Sequence, residues 1–298
     1  MLPPGSLSDY REPHTKTIEI TQRLRMFRTN QPDEREIEAF HRDGYIAYKD
    51  VMEDDYREAL IEEVLSAGPV DAFLDLSDEE RAQLDTPTRY FVRPWNDRGP
   101  LSDALIDAPL VTALLRSTIG PDYHFCHSSM NLALPGSDTI RFHQDHHHWN
   151  HEHPVNLAER EKYYIQILYY PNGFARGDRS LIPIPGSHRV SPTRDVTPAR
   201  LLAGDFDEEA GRKLEAVNLE LPPGSFVYLN ARMFHGVDAK LADSSQRFRI
   251  FLIDIFKEAG PPHRYTQAIL KEWMAKASPE RRKLFDRDPY TDTCWLES

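Results

Sequence analysis

Six of the thirteen histidines in this 298-residue chain fall within eleven residues, in the run Arg141-Phe-His143-Gln-Asp145-His146-His147-His148-Trp149-Asn150-His151-Glu152-His153. In an extended strand, residues two apart share a face, so His143 and Asp145 project together. Joined by a remote histidine, such a pair makes the two-histidine, one-carboxylate set that holds non-haem Fe(II) on one side and leaves positions open for substrate and oxygen. Taken alone, H-x-D is a weak signal. The same tract also reads as a surface metal-scavenging patch or a solvated polar loop, and His146, His147, His148, His151 and His153 fit loop positions or outer partners of a ligand.

The third ligand must come from His188, His235 or His263 downstream. His235 stands out because it follows a Pro222-Pro-Gly224 turn and the apolar run Phe226–Leu229, and is followed by Gly236, which permits close backbone packing. Arg247 and Arg249 then share one face of a run that becomes almost continuously apolar up to Phe256. A buried guanidinium needs an anion. The candidates are a rim salt bridge to Asp238, Asp243 or Asp254, or the distal carboxylate of an α-keto acid, which the planar fork suits in bidentate geometry.

The elements that must position these groups change character along the chain. Helical spacing and caps predict helices over Asp33–Arg42, Asp54–Ala67 (closed by Gly68), from the capping box Ser77-Asp-Glu-Glu80, and over Asp107–Ile119, capped by Asp107 and stopped by Gly120. Tyr45–Tyr48 reads as a short strand. After Gly120, strands are predicted at Tyr123–Leu134, Thr139–His143, Tyr163–Tyr170, Ala216–Leu221, Phe226–Leu229 and Arg247–Phe256, with a last helix from about Tyr265 to Ala277. Helices first and strands later, with no regular β-α alternation, argue against a doubly wound parallel sheet and point to a β-barrel or double-sheet core buttressed by helices.

Composition narrows the function classes. With 36 basic and 48 acidic residues the chain carries −12, against nucleic acid or an anionic membrane as a partner. Cys126 and Cys294 offer no disulfide framework. Met1-Leu-Pro-Pro-Gly lacks a secretory pattern, and no run of 18 apolar residues occurs. A cytoplasmic protein acting on a small molecule is the expectation.

The order His143-x-Asp145, Pro185-Gly-Ser-His188, Pro223-Gly224, His235-Gly236, Phe248-Arg249 resembles the phytanoyl-CoA dioxygenase-like family over roughly residues 40–256. That resemblance implies a mainly β fold with flanking helices around a double-stranded β-helix (a jelly-roll, cupin-like core), and Fe(II), 2-oxoglutarate and O2 as cofactor and cosubstrates. It implies His143, Asp145 and His235 as metal ligands, with Arg249, or Arg247 in reserve, on the 2-oxoglutarate C5 carboxylate. Asn131 and Gln166 are expected to face the cosubstrate, and Trp149, Arg93 and Trp95 the substrate pocket. The stretch Arg89–Arg98 reads as a lid binding an anionic substrate or as a surface loop.

One domain is expected over 1–298: an arm (1–32), mainly helical support (33–120), the β-helix core (121–256), and a C-terminal helix and tail (257–298). The implied reaction is hydroxylation of an unactivated C–H bond, with succinate and CO2 as coproducts. Desaturation, epimerisation or demethylation at the same iron, a metal-dependent hydrolase, and a non-catalytic metal-binding protein are the alternatives. Two positions depart from the family pattern. Val237 stands where a hydroxyl residue is common, and Gly177-Asp-Arg-Ser-Leu181 alters the usual glycine-and-leucine signature. Asp145, where related halogenases carry a small residue, argues for oxygen transfer.

Overall fold

The computed structural model describes residues 24–96, 99–145, 164–191, 193, 195–258, 269–270, 275, 277–285 and 290–291. Helices α1 (Glu34–Asp43), α2 (Asp54–Ser66), α3 (Gly68–Asp75), α4 (Asp78–Arg81), α5 (Pro100–Ala104) and α6 (Pro109–Ile119) fill the first part of the chain, interrupted by strands β1 (Tyr45–Tyr48) and β2 (Arg89–Val92). Then follow β3 (Tyr123–Ala133), β4 (Ile140–His143), β5 (Tyr164–Tyr170), β6 (Leu181–Pro183), α7 (Pro198–Leu202), α8 (Asp207–Ala210), β7 (Ser225–Asn230), β8 (His235–Val237) and β9 (Arg249–Glu258). The pair β10 (Ile269–Leu270) and β11 (Tyr290–Thr291) flanks α9 (Pro279–Lys283).

The strands form an antiparallel six-stranded sheet, ordered β1-β7-β5-β9-β3-β2, and a three-stranded sheet, β4-β8-β6. This is the double-sheet, helix-buttressed architecture the sequence suggested, and it is not a closed barrel. Alternate residues of the large sheet serve two layers. Met130, Leu132, Ile165, Ile167, Tyr169, Ile250 and Leu252 pack with Tyr56, Leu60 and Val64 of α2 and Leu110 and Leu114 of α6. Leu168, Val227 and Leu229 point the other way, toward Leu181 of the small sheet.

A bulge in β3, where Phe125 pairs with Phe256 but His127 with Ile255, inserts Cys126 and reverses which residues face the helices. Phe125 lies on the helix side. Beyond the bulge the even-numbered residues take that side, which turns His127, Ser129 and Asn131 inward.

Several expectations are corrected. Gly68 opens α3 instead of ending α2, whose C-cap is Ala67 in extended conformation. The N-cap of α6 is Ala108, because the Asp107 carboxylate is held by Arg281 at 2.7 Å. Ala216–Leu221 forms no strand of its own; it follows β6 through single hydrogen bonds from Val217 to Pro183 and from Leu219 to Leu181. Arg89–Val92, read as lid or loop, is an edge strand on β3. Within the region expected as a final helix, Ile269–Leu270 is a short strand paired with Tyr290–Thr291; 265–268 and 271–274 lie outside the described residues, as does most of the N-terminal arm. Among the described residues no helix is long and apolar enough to cross a membrane.

The Pro185-Gly-Ser-His188 turn clamps the end of α1. Asp33 and Glu36 form a capping box at the start of that helix, and Gly44 ends it in the left-handed region, φ 86°. The Gly186 N–H donates to Asp43 O (2.9 Å) and Ser187 Oγ accepts from the Phe234 N–H (2.9 Å). His188 is buried with Nε2 3.2 Å from His41 O, a structural role that leaves it outside the cavity lining.

A Cβ on Gly44 would lie 2.5 Å from His188 Nδ1. Gly44→Ala combines that clash with a left-handed backbone and should destabilise the protein by about 2 kcal/mol or more, read by chemical denaturation. Burial, helped by the charges of Arg232 and Arg189 against the His41 carbonyl and Asp43, pushes His188 down from 6.5 to about 4. Between those values the unfolded chain binds a proton that the folded chain does not. His188 should therefore make stability fall as pH drops from about 6.5 to about 4, and His188→Gln should flatten that limb of the denaturation midpoint against pH.

Candidate active site

His143 and His235 are register partners across β4 and β8, with ring centroids 4.5 Å apart. Gly236 lets these strands approach: a Cβ there would lie 3.1 Å from Ile140 O. Asp145 follows β4, and one ligand atom from each of the three residues lies within 4.8 Å of the others. Asp145 Oδ2 is 3.2 Å from His235 Nε2 and Oδ1 is 3.6 Å from His143 Nε2. Metal bonds of ~2.1 Å at right angles place donors ~3 Å apart, so the spacing suits one ion bound on one face.

Backbone carbonyls fix the tautomers. His143 Nδ1 meets Arg141 O at 2.8 Å and His235 Nδ1 meets Met233 O at 3.0 Å. A carbonyl only accepts, so each Nδ1 carries a proton, and in the neutral ring each Nε2 then has the lone pair that a metal would take. Gln166 donates from Nε2 to Asp145 Oδ2 at 2.6 Å. Desolvation by the surrounding groups would raise the Asp145 carboxyl, whose side chain is 38 % exposed, but the hydrogen bond and charge of His235, with His143 and Gln166, outweigh it and hold the group far below its usual range. Burial works against protonation of His235, and Asp145 more than compensates. The pair is arranged to keep the carboxylate ionised.

These groups open into a cavity of about 250 Å³ between the sheets. His127, Ser129 and Asn131 of β3, Tyr164, Gln166, Leu168 and Tyr170 of β5, and Arg249, Phe251, Ile253 and Ile255 of β9 line it, each set two residues apart as strand alternation requires. Arg249 is 3 % exposed. Its guanidinium carbon lies 4.8, 5.3 and 5.0 Å from the ring centroids of Tyr170, Phe174 and Phe251. Its Nε is buried without a hydrogen-bond partner among the described residues, and the Tyr170 hydroxyl lies beside the guanidinium. Burial lowers the pKa of Arg249, against the opposing influence of Tyr170 and Asp178. Aromatic faces stabilise a cation but satisfy no N–H, so this site fits a carboxylate.

Among the other predicted residues, Arg247 is exposed, precedes β9 and does not line the cavity. Asn131 and Gln166 line it, and the Gln166 amide is spent on Asp145. Arg93 lines it beside Phe91, which is 53 % exposed at the β2 edge. Trp95 does not. It is buried on the helix side, its Nε1 donating to Ser102 Oγ (2.8 Å) and its N–H to Ser128 Oγ (2.9 Å), because Ser128 is on the face of β3 that the bulge turns toward the helices. Trp149 and His263 lie outside the described residues, as do His146, His147, His148, His151 and His153. Sequence reasoning passed over Tyr170 and His127, although each is four residues from a residue it had placed inward, Gln166 and Asn131. It also passed over Arg179, whose approach to the cavity depends on a loop conformation that no periodicity encodes.

A double-sheet fold with this donor set in its cavity defines an iron- and 2-oxoglutarate-dependent oxygenase. Residues 40–248 match the phytanoyl-CoA dioxygenase (PhyH) family, and the chain belongs to it. No curated protein matches by sequence. Solved structures share the fold at low identity. AviO1 from Streptomyces viridochromogenes Tue57 is 20% identical, covering 76% of this chain and 96% of its own, with a TM-score of 0.57. EctD from S. alaskensis, solved with 2-oxoglutarate and 5-hydroxyectoine, is 18% identical, covering 79% of each chain at 0.55. The epimerase SnoN, in complex with Fe3+, alpha ketoglutarate and nogalamycin RO, is 16% identical, covering 76% and 83% at 0.55.

Gln166→Leu removes the amide that orients Asp145 while keeping the volume close. It should weaken Fe(II) or Mn(II) binding about 10- to 100-fold in a chelator competition titration with little change in fold.

Proposed function

We propose that the chain hydroxylates an unactivated C–H bond of a small molecule, consuming O2 and 2-oxoglutarate and releasing succinate and CO2. The observation that carries this reading is the buried, unpartnered Nε of Arg249 in the cavity that holds the His143, Asp145 and His235 donors. A dicarboxylic 2-oxo acid would present one end to that cation and the other to the metal donors, a match that water activation at a metal does not by itself require.

His143, Asp145 and His235 would hold the iron, the two histidines through Nε2 and Asp145 through a carboxylate oxygen. Arg249 receives the C5 carboxylate, with the Tyr170 hydroxyl beside it and Asn131 on the adjoining strand. When bound, iron and 2-oxoglutarate supply the oxidising power that no side chain here possesses. The apolar residues Leu168, Ile253 and Ile255 keep water from the reacting centre, and Phe91, Arg93 and Ile140 meet the substrate as it enters. As a third protein ligand, the Asp145 carboxylate would take the place on the metal that a halide needs, which favours oxygen transfer. The ligands named for EctD and SnoN support the same cofactor and cosubstrate.

Helical support and β core act as one domain in this proposal, which the family match across both favours. The acidic charge and sparse cysteines fit a cytoplasmic enzyme working on a diffusible metabolite.

With Fe(II), 2-oxoglutarate and ascorbate, a metabolite panel should yield succinate together with a product 16 Da heavier than its substrate. Asp145→Ala should abolish both signals, and Arg249→Leu should raise the KM for 2-oxoglutarate at least about 30-fold. A product of unchanged mass, or one 2 Da lighter, would replace hydroxylation with epimerisation or desaturation; full turnover by Asp145→Ala would remove the ligand set.

A further inference from the structure

The cosubstrate end of the cavity contains a second buried guanidinium. Arg179 is 4 % exposed and lines the same cavity as Arg249. It belongs to the altered segment Gly177-Asp-Arg-Ser-Leu181, and its backbone is in the left-handed region at φ 63°, where a residue with a Cβ is strained. That conformation is pinned from both sides. The Arg179 N–H donates to Ala239 O (3.0 Å) and the Asp238 N–H donates to Ser180 O (2.9 Å), while Asp178 is paired with buried Lys240. The side chain is thereby sent inward, where one of its terminal nitrogens donates to Asp138 O.

The local charge is unbalanced. Arg179 and Arg249 are both buried at this end; of the nearby acids, Asp178 is already matched by Lys240 and Asp138 is exposed. Burial and then the charges of Arg249 and Arg89 bring Arg179 down to about 10, with Asp138 opposing, as expected of a site short of an anion. Resting on the oxygenase reading above, we propose that Arg179 and Arg249 together grip the distal carboxylate of the cosubstrate, a two-guanidinium clamp that restricts the chain to dicarboxylic 2-oxo acids. One carboxylate offers about four acceptor positions, enough for the Arg249 Nε–H and a donor from Arg179. Arg93 and Phe91, at the β2 edge, are left to face the substrate.

The test is calorimetric binding of 2-oxoglutarate and of 2-oxobutanoate, which lacks the distal carboxylate, to the Ni(II)-loaded protein without turnover. Arg179→Gly is the informative variant because glycine accepts the left-handed backbone without strain, so its thermal unfolding should not fall. It should weaken 2-oxoglutarate roughly tenfold or more and leave 2-oxobutanoate unchanged, with Arg179→Lys between the two. Equal weakening of both acids would mean a structural role and overturn the clamp. So would a 2-oxoglutarate affinity within twofold of the parent, including the case where only the KM of the oxidised substrate rises. A parent protein that binds no 2-oxoglutarate would refute the oxygenase reading and the clamp with it; a parent that binds alongside an indifferent Arg179→Gly would refute the clamp alone.

Discussion

The large sheet must satisfy two different environments with one strand period. On one face Met130, Leu132, Ile165, Ile167, Ile250 and Leu252 meet apolar helices; on the other, residues one step along meet a cavity carrying charge. A shift of one residue would bury Arg249 and Gln166 against Leu and Val side chains, where an unpaired polar group is strongly destabilising. The Cys126 bulge is where β3 switches its phase to comply. Every group assigned to chemistry on β3, β5 or β9 depends on that register.

The cavity concentrates charge that the fold does not neutralise internally. Its acid, Asp145, is held by two imidazoles and an amide and kept ionised, while the guanidinium of Arg249 is supported by three aromatic rings and leaves Nε unpaired. A folded chain tolerates such a group because aromatic faces recover part of the desolvation cost. The remainder favours binding an anion. Preorganisation of this kind means that little side-chain ordering need accompany cosubstrate binding.

Helices and turns stabilise this arrangement from outside. The C-terminus of α1 and the Pro185-Gly-Ser-His188 turn are joined through Gly186 and His188, and Ser187 accepts from Phe234 immediately before His235. A family signature that could be taken for catalysis thus sets the approach of β8. The corrected elements have a similar cause. Gly68 and Asp107 carry the right local chemistry for a stop and a cap, but a following helix and a distant arginine take them for other uses. Local propensity is overridden where a tertiary partner is stronger.

The linear chain singled out three residues that the fold brings together: His143, Asp145 and His235. Strand alternation joins His143 to Asp145, and the turn, apolar run and glycine around His235 mark the third. It also showed that an arginine entering an apolar strand needs an anion, and that helices precede strands. That Arg249 and not Arg247 lines the cavity follows from the β9 boundary, since two residues on the same side of a strand differ only in how far they enter the sheet. Trp95 was misplaced for want of the bulge, which is a property of pairing between β3 and β9. Arg179 became visible only when Ala239 and Ser180 fixed a left-handed backbone. Side-chain period is local and can be read from residue order; burial depth, phase shifts and loop handedness arise from hydrogen bonds between segments far apart in the chain, and only folding brings those together.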